Sequence, residues 1–309
     1  MLTAIVTGSA GFIGGHLTDA LLDAGLKVIG IDDMRSGLDS TMDLHISHEN
    51  FIPKYYDIRS ERINSVFRDH SPDFVFHLAA IPGVAPSVQD PCISNDANVS
   101  GTLNLLNSSK NHNVKRFIFS SSSSVYGGTD SLPTKECNKL DPKSPYALQK
   151  KIGEEYCKMF SDLYGLDTIC LRYFNVFGPR QRADSAYAAV ISSFCDSIKR
   201  DERPIIYGDG EQSRDFCFVE NVVSANILAS NSKHSFSGDI FNIGCGGNIT
   251  VNSICKSLGT KSPIYEAKRP GDVKFSQADI SKACCLLGYN PEVSYEEGLR
   301  QTLGWFLNN

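Results

Sequence analysis

Short apolar runs alternate with longer amphipathic stretches through the first 175 residues of the chain. Helices are predicted between the runs, and the longest two cover about 91–112 and 145–164. Strands are predicted at about 3–7, 27–31, 51–55, 73–78, 115–119 and 167–172. This alternation is typical of a parallel sheet with right-handed crossovers. The sequence therefore predicts an α/β fold with a Rossmann-type doubly wound sheet.

The rhythm changes after Gly178-Pro179, where shorter helices, a strand at 204–207 and several glycine turns follow. We therefore predict two domains, residues 1–175 and 176–309, the second a smaller mixed α/β lobe. A strand-like segment at 239–243 is expected to return to the large sheet, so the border is not clean.

The composition is that of an ordinary globular protein. Of the 309 residues, 41% are hydrophobic and 21% are charged, with a net charge of −5. No block rich in lysine or arginine appears, which argues against a nucleic-acid partner, and no apolar run reaches the ~18 residues needed to span a membrane. The 10 cysteines are scattered without a Cys-x-x-Cys pair, and no secretion signal is recognised, so we expect a cytoplasmic protein.

A glycine turn follows the first predicted strand. Gly8, Gly11 and Gly14 lie where the strand turns into a helix, an arrangement that lets a pyrophosphate approach the backbone and the helix N-terminus. Asp32 and Asp33 end the second strand, where an acid can bind the ribose hydroxyls of adenosine. Since an acid there repels a 2′-phosphate, the pattern favours NAD over NADP.

The helix that begins after Ser144-Pro145 carries the candidate chemistry. Tyr146 lies in its first turn, and Lys150 lies four residues later on the same face. A nearby cation and the positive end of the helix dipole should lower the pKa of Tyr146 and make it a general base. A serine run, Ser120–Ser124, follows the fifth strand and is expected to be a catalytic loop.

These motifs together make the chain similar to the extended short-chain dehydrogenase/reductase family, and specifically to nucleotide-sugar 4-epimerases of the UDP-galactose 4-epimerase type. The resemblance rests on the stretches Thr7–Gly14, His77–Ala80, Asn98–Thr102, Tyr146-x-x-x-Lys150, Leu171–Asn175, Gly208–Gly210, Arg214–Phe216 and Arg269–Asp272. It implies a tightly held NAD that is reduced and reoxidised in one turnover, a UDP-sugar substrate, and a homodimer formed through the helices at about 91–112 and 145–164.

The resemblance also implies roles for individual residues. Tyr146 would be the base, Ser122 would bind the sugar 4-oxygen, and Lys150 would bind the nicotinamide ribose and keep Tyr146 ionised. The implied cofactor-binding residues are Gly8, Gly11, Phe12, Ile13, Gly14, Asp32, Asp33, Ser36, Gly37, Asp57, Ile58, Leu78, Ala79, Ala80, Asn98, Tyr146, Lys150 and Tyr173. The implied substrate-binding residues are Ser87, Ser122, Ser123, Tyr146, Asn175, Ala189, Val190, Tyr207, Arg214, Arg269, Asp272 and Ser276.

Within the implied substrate site, Asn175, Arg214 and Arg269 would hold the diphosphate, Asp272 the uridine ribose, and Tyr207 would stack on uracil. In resembling enzymes a tyrosine at the position of Ser276 restricts the pocket to glucose and galactose, whereas a small residue admits an acetamido group. This favours UDP-N-acetylglucosamine and UDP-N-acetylgalactosamine, with the unacetylated pair as weaker substrates.

Three other functions remain open. Epimerisation of UDP-glucuronate is the second choice, because Arg180 and Arg182 offer an extra cation. A dehydratase or decarboxylase is disfavoured, because Ser123 and Ser124 stand where an acid would be needed. A non-catalytic NAD-binding protein would have no need of Tyr146.

His45 and His48 form an H-x-x-H pair without a third ligand, so we expect surface histidines and no metal.

Overall fold

The computed structural model describes residues 1–128, 131–183, 189–268 and 273–309. The chain divides into two compact units that interleave along the sequence. The first unit contains residues 1–125, 142–172 and 223–241, and the second contains residues 126–141, 173–222 and 242–309.

Thirteen strands are present in the described ranges. They are β1 (Thr3–Thr7), β2 (Lys27–Ile31), β3 (Phe51–Lys54), β4 (Phe74–His77), β5 (Arg116–Ser122), β6 (Thr168–Tyr173), β7 (Val176–Phe177), β8 (Ile205–Tyr207), β9 (Ser213–Arg214), β10 (Cys217–Phe218), β11 (Ser237–Ile243), β12 (Ile249–Thr250) and β13 (Ile264–Glu266).

The same ranges contain twelve α-helices. They are α1 (Phe12–Asp23), α2 (Asp39–Ile46), α3 (Arg62–His70), α4 (Val84–Gln89), α5 (Pro91–Asn95), α6 (Gly101–Asn111), α7 (Pro145–Tyr164), α8 (Val190–Lys199), α9 (Val219–Asn231), α10 (Val251–Leu258), α11 (Ser281–Leu287) and α12 (Tyr295–Asn308). A π-helical turn, Asp96–Ser100, joins α5 to α6, and a 3₁₀ turn, Ser123–Tyr126, follows β5.

Seven strands form one sheet in the order β11-β6-β5-β4-β1-β2-β3. The pairings from β3 to β5 are all parallel, with Ile5 opposite both Ile29 and Val75. All five residues of β1 are buried, as expected for a strand in the middle of a sheet that is covered on both faces. The order reverses at β1: β2 and β3 are added on one side of β1, and β4, β5 and β6 are then added on the other side. The Rossmann-type doubly wound sheet is therefore confirmed, and the segment predicted at 239–243 is part of its edge strand β11.

The second unit is smaller and contains two-stranded pairings, β10 with β7, β12 with β9 and β13 with β8. Its core is aromatic: Phe177 meets Phe216 and Phe218 edge to face, with ring centroids 6.2 and 5.6 Å apart. A buried carboxylate organises the neighbouring turn, because Asp215 accepts hydrogen bonds from the backbone N–H groups of Cys245, Gly246 and Ala278.

Two local expectations were wrong. The serine run is not a loop throughout, because β5 continues to Ser122 and the next residues form the 3₁₀ turn. His45 is not a surface residue: it is 2% exposed, its Nε2 lies 2.5 Å from Asp19 Oδ1, and its ring packs against Phe51. His48 is exposed, as predicted.

Candidate active site

The glycine turn brings helix α1 as close to β1 as the backbone permits. A Cβ on Gly14 would lie 2.0 Å from the carbonyl oxygen of Gly8, and Gly8 itself has a φ of +73°. Gly11 precedes the helix and has no side chain that could cap it. The first N–H groups of α1, including those of Phe12 and Ile13, therefore receive no hydrogen bond from a capping side chain. Such a helix start is suited to an anion such as a pyrophosphate.

Asp32 lies at the end of β2 beside the glycine turn. It is buried, and its two carboxylate oxygens accept hydrogen bonds from the N–H groups of Ala10 and Met34 at 3.0 and 2.9 Å. Burial raises the pKa of Asp32, and these two hydrogen bonds partly oppose the rise. Each oxygen retains a lone pair that could accept a ribose hydroxyl. Asp33 is exposed and forms an ion pair with Arg35 at 3.5 Å.

Three further predicted cofactor residues lie around this acid. A Cβ on Gly37 would lie 2.6 Å from that of Ala10, so the loop with exposed Ser36 packs on the glycine turn. The Asp57 carboxylate is bound by the Arg59 guanidinium, which lowers the pKa of Asp57. Ile58, by contrast, belongs to the hydrophobic core.

The end of β4 is held by a chain of buried hydrogen bonds. The Thr7 hydroxyl accepts the N–H groups of Leu78 and Ala79, and it lies 2.9 Å from His77 Nδ1. The other ring nitrogen, Nε2, lies 2.8 Å from the hydroxyl of Thr102. Burial lowers the pKa of His77 to about 3, so this histidine is neutral. The network fixes the loop containing Leu78, Ala79 and Ala80 without a charge of its own.

Asn98 lies in the π-helical turn and ties that turn to two other elements. Its amide accepts the N–H of Ile81 at 2.8 Å, and it donates to the carbonyl of Ile81 and to Gln149 Oε1. Both amide protons are thereby used within the protein. Gln149 in turn donates to the Ser94 hydroxyl at 2.9 Å. Asn98 would therefore act on a cofactor chiefly through the loop that it holds.

Helix α7 begins as predicted, with the Ser144 hydroxyl accepting the Ala147 N–H and Pro145 at its first position. The Tyr146 side chain is hydrogen-bonded to that of Ser122 at the end of β5. One turn later, the Lys150 ammonium donates to the carbonyl of Ser120 at 2.7 Å and lies 5.8 Å from the centre of the Tyr146 ring. The three predicted catalytic residues are therefore together.

The predicted effect of this environment on Tyr146 is wrong for the protein alone. Burial raises the pKa of Tyr146 to about 12, and the hydrogen bond from Ser122 opposes the rise. Burial also lowers the pKa of Lys150 to about 8. Desolvation penalises both charged forms, and here it outweighs the helix dipole and the neighbouring cation.

Two other predicted residues of the first unit lie nearby. The hydroxyl of Ser87, which is fully buried, accepts the Tyr146 N–H at 3.0 Å and donates to the carbonyl of Val84. It therefore secures the start of α7, and this role was not evident in the sequence. Ser123 is half-buried in the 3₁₀ turn that follows Ser122.

Glu154, which lies four residues beyond Lys150 on α7, was not predicted from the sequence. Its carboxylate is 3% exposed, forms a two-pronged ion pair with Arg172 at 2.7–2.8 Å, and accepts a hydrogen bond from the Ser121 hydroxyl at 2.5 Å. The spacing from Tyr146 to Lys150 to Glu154, two steps of four, was the available signal.

In the second unit, several predicted substrate residues lie close together. Asn175 donates to the carbonyl of Asp215 at 3.2 Å, next to Arg214. The guanidinium of Arg214 donates to the carbonyls of Ser213 and Lys274, and the Ser276 N–H donates to that of Ser213 at 3.1 Å. Arg214 and Ser276 are therefore neighbours through one short stretch of backbone.

The remaining predicted residues lie at element ends. Tyr173 is the buried last residue of β6, and Tyr207 is the half-buried last residue of β8. Ala189 caps the start of α8 and Val190 is its first residue. Arg269 and Asp272 lie outside the described residues.

Comparison with known proteins agrees with this geometry. A family model described as the NAD dependent epimerase/dehydratase family matches residues 4–244. The chain belongs to this family.

Several known proteins are similar to this chain over nearly its whole length. The UDP-glucose 4-epimerase of Mycolicibacterium smegmatis is 34% identical over 313 residues, with 99% of each chain covered. The structure of a UDP-N-acetylglucosamine 4-epimerase from Methanobrevibacter ruminantium M1, in complex with UDP-N-acetylmuramic acid, is 42% identical with a TM-score of 0.93 and covers 99% of this chain and 98% of that chain. A UDP-glucuronic acid 4-epimerase from Bacillus cereus, in complex with UDP-glucuronic acid and NAD, is 32% identical with a TM-score of 0.90 and 99% coverage of each chain.

NAD is the cofactor of this family, and the residues of this chain fit it. The glycine turn leaves a cradle that a Cβ on Gly14 would disrupt, and the buried Asp32 keeps lone pairs free for ribose hydroxyls. Arg35, a nearby cation of the kind that could bind a 2′-phosphate, is paired with Asp33 and Asp57. No helix in the described ranges is long and apolar enough to cross a membrane.

Proposed function

We propose that this member of the family is a UDP-sugar 4-epimerase, an isomerase that inverts the sugar at C4 through a 4-keto intermediate. The observation that carries the proposal is the hydrogen-bonded pair of Tyr146 and Ser122 with the buried Lys150 one turn away. These residues lie in the unit that contains the glycine turn and Asp32. A protein that only senses NAD would not need a buried phenol and ammonium in this arrangement.

The side chains divide the proton chemistry between them. NAD, when bound, supplies the hydride acceptor and an additional positive charge. Tyr146 takes the proton of the sugar 4-hydroxyl and later returns it, and Ser122 holds the 4-oxygen in reach of the phenol. Lys150 stays protonated at neutral pH, because its pKa is about 8, and its charge favours the phenolate. The pKa of about 12 for Tyr146 means that the phenol is protonated in the protein alone.

For the sugar, we propose UDP-N-acetylglucosamine and UDP-N-acetylgalactosamine, with UDP-glucose and UDP-galactose as weaker substrates. The small half-buried Ser276, bonded through its backbone beside Arg214, supports this choice, since a bulky side chain there would reduce the space for a 2-acetamido group. The similarity to a UDP-N-acetylglucosamine 4-epimerase at 42% identity points the same way.

One experiment tests both the proposed reaction and the proposed sugar substrate. Purified protein is incubated with a panel of UDP-sugars without added NAD, and the C4 epimers are resolved by chromatography. Turnover of the acetylated pair is expected, and Ser276→Tyr should suppress it while sparing UDP-glucose. Equal loss on both pairs, or no change on either, would remove Ser276 from the specificity argument. Ser253→Tyr offers a control, because Ser253 is an exposed residue of α10 whose N–H donates to Thr250, the residue that caps that helix.

UDP-glucuronate remains the second candidate, and the similarity to the Bacillus cereus enzyme favours it. Arg180 and Arg182 follow β7 in the second unit, and a cation is what a C6 carboxylate requires. Exclusive turnover of UDP-glucuronate in the same panel would replace the acetylated sugars with this substrate.

We also propose that the protein is a homodimer formed through the helical surface of the first unit. A cavity of about 350 Å³ between α5 and α7 is lined in part by Cys92, Leu148 and Ile152. Leu148 and Leu163 on α7 are 48% and 65% exposed, which leaves large apolar side chains in water in the isolated chain. Sedimentation velocity should give twice the chain mass of 33.9 kDa.

A further inference from the structure

Three successive residues at the end of β5 are each held by a different residue of α7. Ser122 bonds the Tyr146 side chain, the carbonyl of Ser120 accepts from Lys150, and the Ser121 hydroxyl donates to Glu154. Tyr146, Lys150 and Glu154 are spaced four apart, so they lie along one face of the helix.

The close approach of α7 to β5 depends on a glycine in the same turn as Glu154. A Cβ on Gly153 would lie 2.3 Å from the Phe119 ring, so any other residue would push the helix away from the strand. The Lys150 ammonium lies 5.0 Å from the centre of that same ring. Lys150 and Glu154 can therefore reach the strand only while this spacing is kept.

Glu154 is itself held from a third element. Arg172 on β6 is 1% exposed and binds both carboxylate oxygens, through Nε at 2.8 Å and a terminal nitrogen at 2.7 Å. A carboxylate this deeply buried must keep its partners, since removal of one leaves an uncompensated charge. Its geometry is consequently fixed by two elements of the sheet, β5 and β6.

We propose that Glu154, braced by Arg172, is a positioning residue for the reaction: its carboxylate locks the end of β5 against α7 and supplies the negative charge that faces Lys150. This inference rests on the proposed function of Tyr146, Lys150 and Ser122. Glu154 does not touch the reacting atoms and acts through Ser121 and Lys150.

The electrostatics agree with this geometry. The Lys150 pKa is lowered by burial, and the negative charge of Glu154 opposes that lowering. The titratable and charged groups around Lys150 are Tyr146, Glu154 and Cys157 on α7, His77 on β4, and Arg172 on β6, which neutralises part of the Glu154 charge. His77 is neutral, so Glu154 is the main anion of this set.

The test compares Glu154→Gln with the parent in the NAD-bound protein. Glutamine turns one acceptor into a donor that opposes Arg172, so we expect kcat to fall by about 10²-fold because the reacting groups are misplaced. Without the anion, Lys150 should lose its proton at a lower pH. The alkaline limb of the plot of kcat against pH should therefore move to lower pH by on the order of one unit. Ser121→Ala removes only the hydroxyl bond, so it should lower kcat without moving the limb.

The chain offers a matched control at the other end of the same strands. Arg116, at the start of β5, forms a two-pronged pair with Asp167 at 2.8–2.9 Å, and these side chains are 8% and 17% exposed. Asp167→Asn should lower the melting temperature as Glu154→Gln does, but leave the pH profile in place. If Glu154→Gln changes only the melting temperature, with kcat and profile like the parent once corrected for folded protein, the positioning role is wrong.

A second readout separates this inference from the proposed function. Side-chain NMR of labelled lysine follows the charge of Lys150 directly, with the signal assigned by Lys150→Met. Lys150 should titrate at lower pH in Glu154→Gln than in the parent and in Asp167→Asn, even if the parent epimerises no UDP-sugar. The same titration in all three proteins would overturn the inference, whatever the substrate proves to be.

Discussion

Lys150 is a buried charge, and removing it should make the protein more stable at neutral pH while abolishing turnover. The residue is 4% exposed, and its main polar contact is the carbonyl of Ser120 at 2.7 Å. Burial lowers the pKa of Lys150 from 10.5 to about 8. The folded protein therefore disfavours the ammonium that the reaction needs.

The size of the effect follows from that shift. At about 1.4 kcal/mol per unit, a fall of this size corresponds to about 3 kcal/mol of destabilisation wherever both folded and unfolded chains carry the charge, which is below about pH 8. Lys150→Met leaves the Ser120 carbonyl without this donor, a loss of about 1 kcal/mol. The variant should therefore be more stable than the parent by about 2 kcal/mol at about pH 7.

The sign of the pH dependence gives the sharper test. Between about pH 8 and 10.5 the unfolded chain binds more protons at this site than the folded protein, so parent stability rises relative to Lys150→Met. The advantage of the variant should vanish by about pH 10.5.

The assay is urea unfolding of nucleotide-stripped protein at about pH 7 and about pH 10. Lys158→Met is the control: Lys158 lies two turns later on α7, is 51% exposed and pairs with Asp162, so its loss should change stability by less than about 1 kcal/mol at either pH. A Lys150→Met variant that is less stable than the parent at neutral pH, or whose difference does not change with pH, would refute this reasoning.

Two further predictions concern the chemistry and the cofactor. Tyr146→Phe should lose several orders of magnitude in kcat yet retain NAD, and Ser122→Ala should lose roughly 10²–10³-fold, as measured by epimer formation and by nucleotide released on denaturation; near-parent turnover of Tyr146→Phe would contradict the assigned base. Gly14→Ala should abolish NAD retention, because its Cβ would lie 2.0 Å from the carbonyl oxygen of Gly8 and must displace α1. Gly304→Ala, where a Cβ meets nothing within 4 Å, should retain NAD fully, and equal retention in both variants would show that the glycine turn does not form the cofactor cradle.

Local patterns were sufficient to predict the sheet and the position of the candidate catalytic residues. The apolar run Thr3–Thr7 followed by the glycine turn predicts a buried parallel strand and a helix start, because both depend on neighbours in sequence. Tyr146 and Lys150 were placed correctly on one helix face for the same reason. The boundary of β5 was misjudged, because a run of serines is typical of a flexible segment, whereas here Ser120, Ser121 and Ser122 belong to a strand in the middle of the sheet.

Properties that depend on burial could not be predicted in this way. The sequence shows that Lys150 is near Tyr146, but the pKa of each depends on how much water the packed sheet excludes, and that exclusion reverses the expected direction for the phenol. His45 was misjudged for a related reason, because its partner Asp19 is 26 residues away on another helix. Both the pKa values at the site and the burial of His45 depend on contacts between segments that are far apart in the sequence.

The buried pair of Glu154 and Arg172 addresses the problem that the burial of Lys150 creates. A dry site strengthens the interaction between an ammonium and a developing phenolate, but it also lowers the pKa of the ammonium, so that the proton is released more easily. An anion on the same helix face opposes that release, and a guanidinium on β6 holds the anion in place. Glu154 without Arg172 would be an unpaired buried carboxylate, and Arg172 without Glu154 would add a second uncompensated cation near Lys150. The two residues are therefore expected to act as a unit, so that replacing both by apolar residues should restore stability more than turnover.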